Sequence, residues 1–200
     1  MKVIASVCLV LISFCVLPTR AGYPGEQDAT PPKPDAANGG DAAYSNECLA
    51  LTYRLPDGWK LAKLTQPGGS HQSNQQMKLF RAQRHSESLE VDVLQTPTLK
   101  HPNMERFTIL LALSLTHTGP LQYKVTRDAY PVTIAGRSYY RSDLASGNKA
   151  MSLLATWYRG YAVVASASAD SRDLDDATNA LSGLSFGEDK RTAECFGSTN

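Results

Sequence analysis

The chain of 200 residues lacks an excess of charge of either sign, because 20 lysines and arginines nearly balance 19 aspartates and glutamates. Proteins that bind nucleic acid or anionic membranes through their overall field carry a surplus of one sign. The sequence therefore predicts no nucleic-acid partner. With 42% hydrophobic and 8% aromatic residues, the composition also excludes a collagen-like repeat and a chain that is disordered throughout.

Long hydrophobic runs are lacking after the first segment. Residues 1–21 carry a lysine at position 2, continue in an apolar run from Val3 to Leu17, and end at Ala21. This pattern is typical of a secretory signal peptide, and the run is shorter than the about 20 residues that span a bilayer. We expect cleavage after Ala21, a secreted or periplasmic protein, and no membrane span after cleavage.

Two alternatives to a cleaved leader stay open. The apolar run would serve as an uncleaved anchor if no cut occurs, and Cys15 would carry a lipid if the protein were a lipoprotein. A bulky Phe14 precedes that cysteine, where lipidation signals have a small residue. Cleavage would remove Lys2 and Arg20, so the formal charge would fall from +1 to −1.

Cysteine is scarce, with four in the whole chain and two of them, Cys8 and Cys15, in the leader. The remaining Cys48 and Cys195 stand near the two ends of the following domain. Two cysteines in an oxidising compartment usually pair, and a loop of this size contributes roughly 4–5 kcal/mol in the chain-entropy model. We expect a Cys48–Cys195 disulfide. The alternatives are a reactive thiol, a metal pair or a bridge to another chain, although there is no Cys-x-x-Cys spacing.

Catalytic motifs are lacking as well. The chain has no Gly-x-Ser-x-Gly, no His-Glu-x-x-His, no phosphate-binding loop and no Gly-x-Gly-x-x-Gly. The four histidines are His71, His85, His101 and His117, and no two of them have the spacing of metal ligands. The sequence therefore predicts a protein that is not an enzyme and has no metal and no cofactor.

Composition divides the chain after the leader. Residues 22–43 are rich in proline, glycine and alanine and have little to bury, so they predict a disordered linker. Residues 44–186 hold the periodic segments and predict one domain. Residues 187–200 form a C-terminal tail that we expect Cys195 to tie to the domain.

The first half of the domain predicts strands and one helix. Leu49–Leu55 alternates apolar and polar residues, and a Pro-Asp-Gly turn then leads to Trp59. Met77–Ala82 and Leu89–Leu94 predict two more strands. Pro102–His117 predicts a helix that Asn103 caps. Its apolar surface is wide, which predicts a helix buried against a sheet. That stripe consists of Met104, Phe107, Leu111 and Leu115, widened by Ile109, Leu110 and Leu113.

The second half predicts two hairpins and a last helix. Leu121–Asp128 alternates, and Val132–Leu144 contains a turn at Ala135-Gly136. Met151–Tyr158 and Tyr161–Ser168 flank a turn at Arg159-Gly160. A helix capped by Asp170 or Ser171 ends at Gly183. Strands joined as hairpins, with one buried central helix and one C-terminal helix, predict an α+β fold with a mostly antiparallel sheet.

Three stretches resemble the PsbP-like and DcrB-like fold group. They are Leu-Thr-Tyr-Arg-Leu-Pro-Asp-Gly-Trp at residues 51–59, the late hairpin at residues 155–168, and the close at residues 171–186. The resemblance implies an αβα sandwich in which Trp59 is a structural anchor at the edge of the domain. It implies little chemistry, because members of the group mostly bind or assist other proteins and share no catalytic set.

Aromatic and arginine residues around the late strands are the candidate binding residues. Tyrosine, tryptophan and arginine dominate the energetics of protein–protein contacts. If Trp157 lies in the core, alternation along the strand turns Tyr158 outward. We expect Tyr140, Arg141, Tyr158 and Arg159 to form the site. The alternative is that these rings pair across strands and steady the sheet.

The function expected from the sequence is that of an exported, non-catalytic accessory or protein-binding module of the cell envelope. Its partner would be an envelope or secreted protein. The alternative is a small-ligand carrier, or an enzyme with a non-standard site, in a pocket between sheet and helix.

Overall fold

A computed structural model describes residues 43–62, 76–95, 102–117, 122–158 and 160–187. The predicted leader, most of the predicted linker and nearly all of the predicted tail lie outside these residues. The strands and helices of the described part are β1 Ala43–Asn46, β2 Leu51–Arg54, β3 Lys60–Ala62, β4 Gln76–Arg84, β5 Glu87–Gln95, α1 Met104–His117, β6 Lys124–Ile134, β7 Arg137–Ser146, β8 Lys149–Tyr158, β9 Tyr161–Asp170, α2 Leu174–Asn179 and β10 Leu184–Phe186.

The strands form two antiparallel sheets. The larger has seven strands in the order β3-β4-β5-β9-β8-β7-β6, and the smaller has three in the order β1-β2-β10. Most neighbours in the large sheet are joined as hairpins, and the pairing of β5 with β9 unites its two halves. The predicted α+β class with a mostly antiparallel sheet is therefore confirmed.

Tight turns of two residues set the register of the hairpins. Ala135 and Gly136, with φ of 48° and 77°, join Ile134 to its partner Arg137. Positive φ at both positions gives the turn that suits the twist of paired strands, and glycine takes it without strain. The turn predicted at Ala135-Gly136 is confirmed, and β8 and β9 likewise pair up to Tyr158 and Tyr161.

The outer strand β6 continues through Pro131 to Ile134, beyond the end predicted at Asp128. Pro131 stands opposite Tyr140. Counting from the pair Ile134 and Arg137 that closes the turn, Pro131 falls where a backbone N–H would point away from β7. The proline therefore costs the sheet no hydrogen bond, and it also removes a donor from the open edge.

The large sheet is buried on both faces. One face packs on the small sheet and α2, and this main core includes Tyr53, Phe80 and Leu154. The other face packs on α1 around Leu144, Leu153 and Ala155. Alternation along each strand sends successive side chains to the two cores. The layers therefore run from α1 through the seven-stranded sheet to α2 and the small sheet.

Aromatic rings join the small sheet to the large one. Tyr53 of β2 stacks on Phe80 of β4 with ring centroids 4.6 Å apart, and Tyr44 of β1 lies 4.8 Å from the same ring. Large rings dominate the burial of apolar area in such interfaces. Leu184 of β10 stands opposite Tyr53, so the end of the domain closes on its beginning.

Trp59 follows the predicted turn and is buried, with 4% of its surface exposed. Its backbone N–H donates to the carbonyl of Pro56 at 3.1 Å, and Gly58 has a φ of 81°. The guanidinium of Arg84 lies 5.3 Å from the indole centroid. The turn thus directs the tryptophan into the main core beneath an arginine, which fits the structural role expected of it.

The last helix differs from its prediction. Neither Asp170 nor Ser171 caps it, because α2 begins at Leu174 after Asp173, which makes no side-chain capping bond. Ser171 Oγ instead donates to the carbonyl of Asn148 at 3.1 Å. The helix has six residues, and one turn of 3-10 helix continues it to the predicted end at Gly183.

Candidate protein-binding surface

The outer side of α1 presents two large hydrophobic side chains to solvent. Leu110 is 58% exposed and Leu113 is 46% exposed, and they are the exposed large hydrophobic residues of the described chain. Arg106 and His117, one turn before and one turn after them, are exposed too. Spacings of three and four residues place all four on one side of a helix. We call these four residues the outer stripe of α1.

Local contacts fix where α1 begins. Asn103 caps the helix, since its Oδ1 accepts the backbone N–H of Arg106 at 3.0 Å and its carbonyl accepts that of Phe107 at 3.0 Å. Glu105 in the first turn and His117 in the last turn suit the helix dipole. The predicted cap is confirmed, and the helix begins at Met104.

The inner side of α1 faces the sheet. Met104, Thr108 and Ala112 are the buried ones. The hydroxyl of Thr108 donates to the carbonyl of Met104 at 2.7 Å, so its burial leaves no unpaired donor. Phe107 and Leu111 flank this side and are half-buried. The helix therefore rests on the sheet through a narrow strip.

The helix packs against the sheet as predicted, but the sheet does not cover the whole of its apolar surface. A single sheet covers α1 from one side, and in the described chain α1 contacts β6, β7 and β8. One layer can cover only part of a helix surface. Leu110 and Leu113, which widen the apolar stripe in the sequence, lie on the uncovered side.

Tyr140 lies beside α1. It is half-buried on β7 and packs with Trp157 against the core beneath the helix. Both side chains retain some exposed surface. Of the four predicted binding residues, Tyr140 is the one that borders the α1 side of the sheet.

Tyr158 is a core residue, so its predicted exposure is wrong. It is 7% exposed and belongs to the main core, on the face opposite α1. Its hydroxyl donates to the carbonyl of Gly187 at 3.1 Å, and its ring meets that of Phe186 edge-on at 4.6 Å. The prediction treated one face of β8 as solvated, but the small sheet, which includes β10, covers that face.

Arg141 also faces away from α1. Its guanidinium donates to Asp143 at 2.7 Å and to Asp175 of α2 at 3.0 Å. Burial opposes the charge, but the hydrogen bonds to Asp143 and Asp175 outweigh it and raise the pKa of Arg141. Asp143 accepts Tyr130 at 2.8 Å and Ser152 at 2.7 Å as well. The hydrogen bond of Arg141 to Asp175 thus connects α2 to β7.

The structure therefore does not bring the four predicted binding residues together. Tyr140 lies on the α1 side, Tyr158 and Arg141 lie on the other side, and Arg159 lies outside the described residues. Strand alternation requires this separation of Tyr140 from Arg141. Tyr158 packs in the main core, where its ring meets that of Phe186 from the small sheet.

Cys48 is half-buried in the turn between β1 and β2, and Cys195 lies outside the described residues. The disulfide stays a prediction. In the described part of the chain, no group of three or more histidine, cysteine, aspartate or glutamate residues is placed to hold a metal ion. His85 and His117 are exposed there, whereas His71 and His101 fall outside it. No described helix is long and apolar enough to span a bilayer.

Comparison with known proteins gives similarity in structure alone. No family model and no curated protein matches the sequence. The solution structure of cyanobacterial PsbP, CyanoP, from Synechocystis sp. PCC 6803 is 16% identical and superposes with a TM-score of 0.52, covering 76% of this chain and 96% of that one.

Two crystal structures superpose less well. A protein from Bacteroides thetaiotaomicron gives a TM-score of 0.46 at 11% identity over 74% of this chain and 49% of that one. LpqN of Mycobacterium tuberculosis, described as involved in cell envelope biogenesis, gives 0.39 at 15% identity over 69% and 83%. The similarity to CyanoP extends over nearly all of that protein. The chain therefore has the PsbP-like fold.

Proposed function

We propose that this protein is an exported, non-catalytic accessory module of the cell envelope, and that it binds another protein through the outer stripe of α1. The observation that carries the proposal is the exposure of Leu110 and Leu113, at 58% and 46%. The described chain buries its other large hydrophobic side chains at least in part. A partner that covers the two leucines would remove their exposed apolar surface from water, which favours association.

The neighbourhood of the two leucines suits a protein partner. Phe107, Tyr140 and Trp157 pack into the core beneath α1 and remain partly exposed beside it. Phe107 stands three residues before Leu110 and so adjoins it on the helix surface, and aromatic residues are frequent among the residues that dominate binding. The site is convex and built on a capped helix, which favours a macromolecular partner over a small ligand.

The placement in the envelope rests on the sequence. The proposal takes residues 1–21 as a cleaved leader and residues 22–43 as a spacer that separates the domain from its point of attachment or export. A spacer of this composition gives a binding domain reach without fixing its orientation.

Mild crosslinking of the tagged protein in the envelope fraction, followed by mass spectrometry, tests the proposal. We expect one partner near stoichiometric yield with the wild type and with Ser114→Ala, an exposed position of α1 beside the outer stripe. We expect its loss with Leu110→Ser/Leu113→Ser. Circular dichroism of the double variant checks that the fold persists. Recovery of the same partner by a folded double variant, or of none at any dose of crosslinker, would overturn the proposal.

A further inference from the structure

The outer stripe of α1 has the spacing of a helix-packing seam. Its residues Arg106, Leu110, Leu113 and His117 are separated by four, three and four positions. This alternation keeps side chains in line along the contact when two helices lie nearly parallel, with apolar residues in the middle of the seam. The seam begins and ends with a basic residue.

The charge of Arg106 is available to a partner. Its side chain is exposed, and Arg106 takes part in none of the ion pairs of the described chain. Its backbone N–H is used by Asn103, which leaves the guanidinium unconstrained by the cap. The neighbouring Glu105 is turned by about 100° around the helix axis and so lies beside the seam. A carboxylate from outside would complete a charge-assisted pair with Arg106.

The charges of the seam disfavour a second copy of this chain as its occupant. In a parallel pair, Arg106 would face Arg106 of the other copy. In an antiparallel pair centred between Leu110 and Leu113, Arg106 would face His117. The parallel arrangement brings like charges together, which is destabilising across a helix contact, and neither arrangement places a carboxylate of the seam opposite Arg106.

We propose that the partner contributes an amphipathic helix whose apolar residues lie on Leu110 and Leu113 and whose acidic residues face Arg106. This inference rests on the proposed function, because it names the chemistry of the partner for the same surface. The apolar centre supplies affinity, and the acidic residues select orientation and partner.

Two synthetic helical peptides test the inference against the full chain. Both carry leucine at the seam positions of a heptad repeat; one has glutamate and the other has lysine at the flanking positions. We expect the acidic peptide to bind at least about tenfold more tightly than its basic twin in fluorescence anisotropy, a difference of about 1.4 kcal/mol. Arg106→Glu should abolish or invert that preference, and Arg106→Gln should reduce it.

Three results would overturn the inference: equal affinity for both peptides, no binding of the acidic peptide, or a preference unchanged by Arg106→Glu. Anionic lipid vesicles form the remaining arm, since binding to vesicles without binding to the acidic peptide would assign the stripe to a membrane surface. If Leu110→Ser/Leu113→Ser loses the crosslinked partner while Arg106→Glu keeps it, the proposed function stands and this inference fails. If the double variant keeps the partner, both fail.

Discussion

The hydroxyl of Tyr53 is a polar group enclosed between the two sheets. Tyr53 is 0% exposed, and no described residue is placed to hydrogen bond with its hydroxyl. A buried hydroxyl without a partner forfeits its hydration. We expect Tyr53→Phe to raise the free energy of unfolding by about 1 kcal/mol, as measured by urea denaturation, because the ring contacts with Phe80 remain.

Tyr158 is the matched control, since it is a buried tyrosine of the same core whose hydroxyl has a partner. Its hydroxyl donates to the carbonyl of Gly187 at 3.1 Å. Tyr158→Phe should therefore lower the free energy of unfolding by about 1 kcal/mol. A loss of stability in Tyr53→Phe as large as that in Tyr158→Phe would contradict the view that the Tyr53 hydroxyl is unsatisfied.

Buried tyrosines also make the fold sensitive to alkali. Burial raises the pKa of Tyr139 to about 12 and raises the pKa of Tyr53 as well. An unfolded tyrosine ionises near pH 10, so above that pH the unfolded chain loses protons that the folded chain keeps. Stability is therefore fully present below about pH 10 and falls between about pH 10 and 12. Urea denaturation at a series of alkaline pH values should show this decline, and Tyr139→Phe should make it shallower; an unchanged slope in that variant would contradict the assignment.

Gly183 ends the 3-10 turn that leads into β10, and it lies very close to the backbone of β2. A Cβ at this position would lie 2.1 Å from the carbonyl oxygen of Arg54 and 3.2 Å from the ring of Tyr53. The backbone of β2 cannot move away without disturbing its pairing with β10. We expect Gly183→Ala to lower the free energy of unfolding by about 2–3 kcal/mol, measured by urea denaturation.

Ser182 provides the comparison for Gly183. It occupies the same turn and is exposed, so Ser182→Ala should change stability by less than about 0.5 kcal/mol. Equal effects of the two substitutions on stability would contradict the view that a clash with the carbonyl of Arg54 excludes a side chain at position 183.

Elements with a strong local pattern were predictable from the sequence. The alternation in β4 and β5, the turn at Ala135-Gly136 and the cap at Asn103 each depend on neighbours along the chain. The small sheet could not be predicted from a local pattern, because β10 has only three residues and pairs with β2, which is far away in the sequence. The predicted cap of α2 was also wrong because of a contact that is distant in sequence: Ser171 hydrogen bonds to Asn148.

The candidate surface was predicted only in part, because exposure depends on how many layers cover an element. Tyr140 was expected near a binding face and borders the α1 side. The side chain of Tyr158 was expected to be exposed, but the small sheet covers its face of β8. Leu110 and Leu113 were expected inside, but nothing described lies over the outer side of α1. The one sign in the sequence was an apolar surface on α1 too wide for a single sheet to bury.

The whole domain closes on itself where its two ends meet. The backbone N–H of Gly187, just after β10, donates to the carbonyl of Ala50 at 2.6 Å. Ala50 belongs to the turn that contains Cys48, and Cys195 follows Gly187 a short distance along the chain. Cys195 lies outside the described residues, so its disulfide with Cys48 stays a prediction.

Reduction should then destabilise the molecule as a whole. A bridge between Cys48 and Cys195 would close a loop over almost the entire domain, and its loss should lower the free energy of unfolding by about 4–5 kcal/mol in the chain-entropy model. We expect this in Cys48→Ser/Cys195→Ser and in reduced wild type alike, by urea denaturation of oxidised and reduced samples, with no effect of reductant on the double variant. Alkylation should find both thiols blocked before reduction. If reductant does not change the stability of the wild type, the internal bridge is ruled out. Disulfide-linked dimers would show that Cys48 or Cys195 pairs between chains instead.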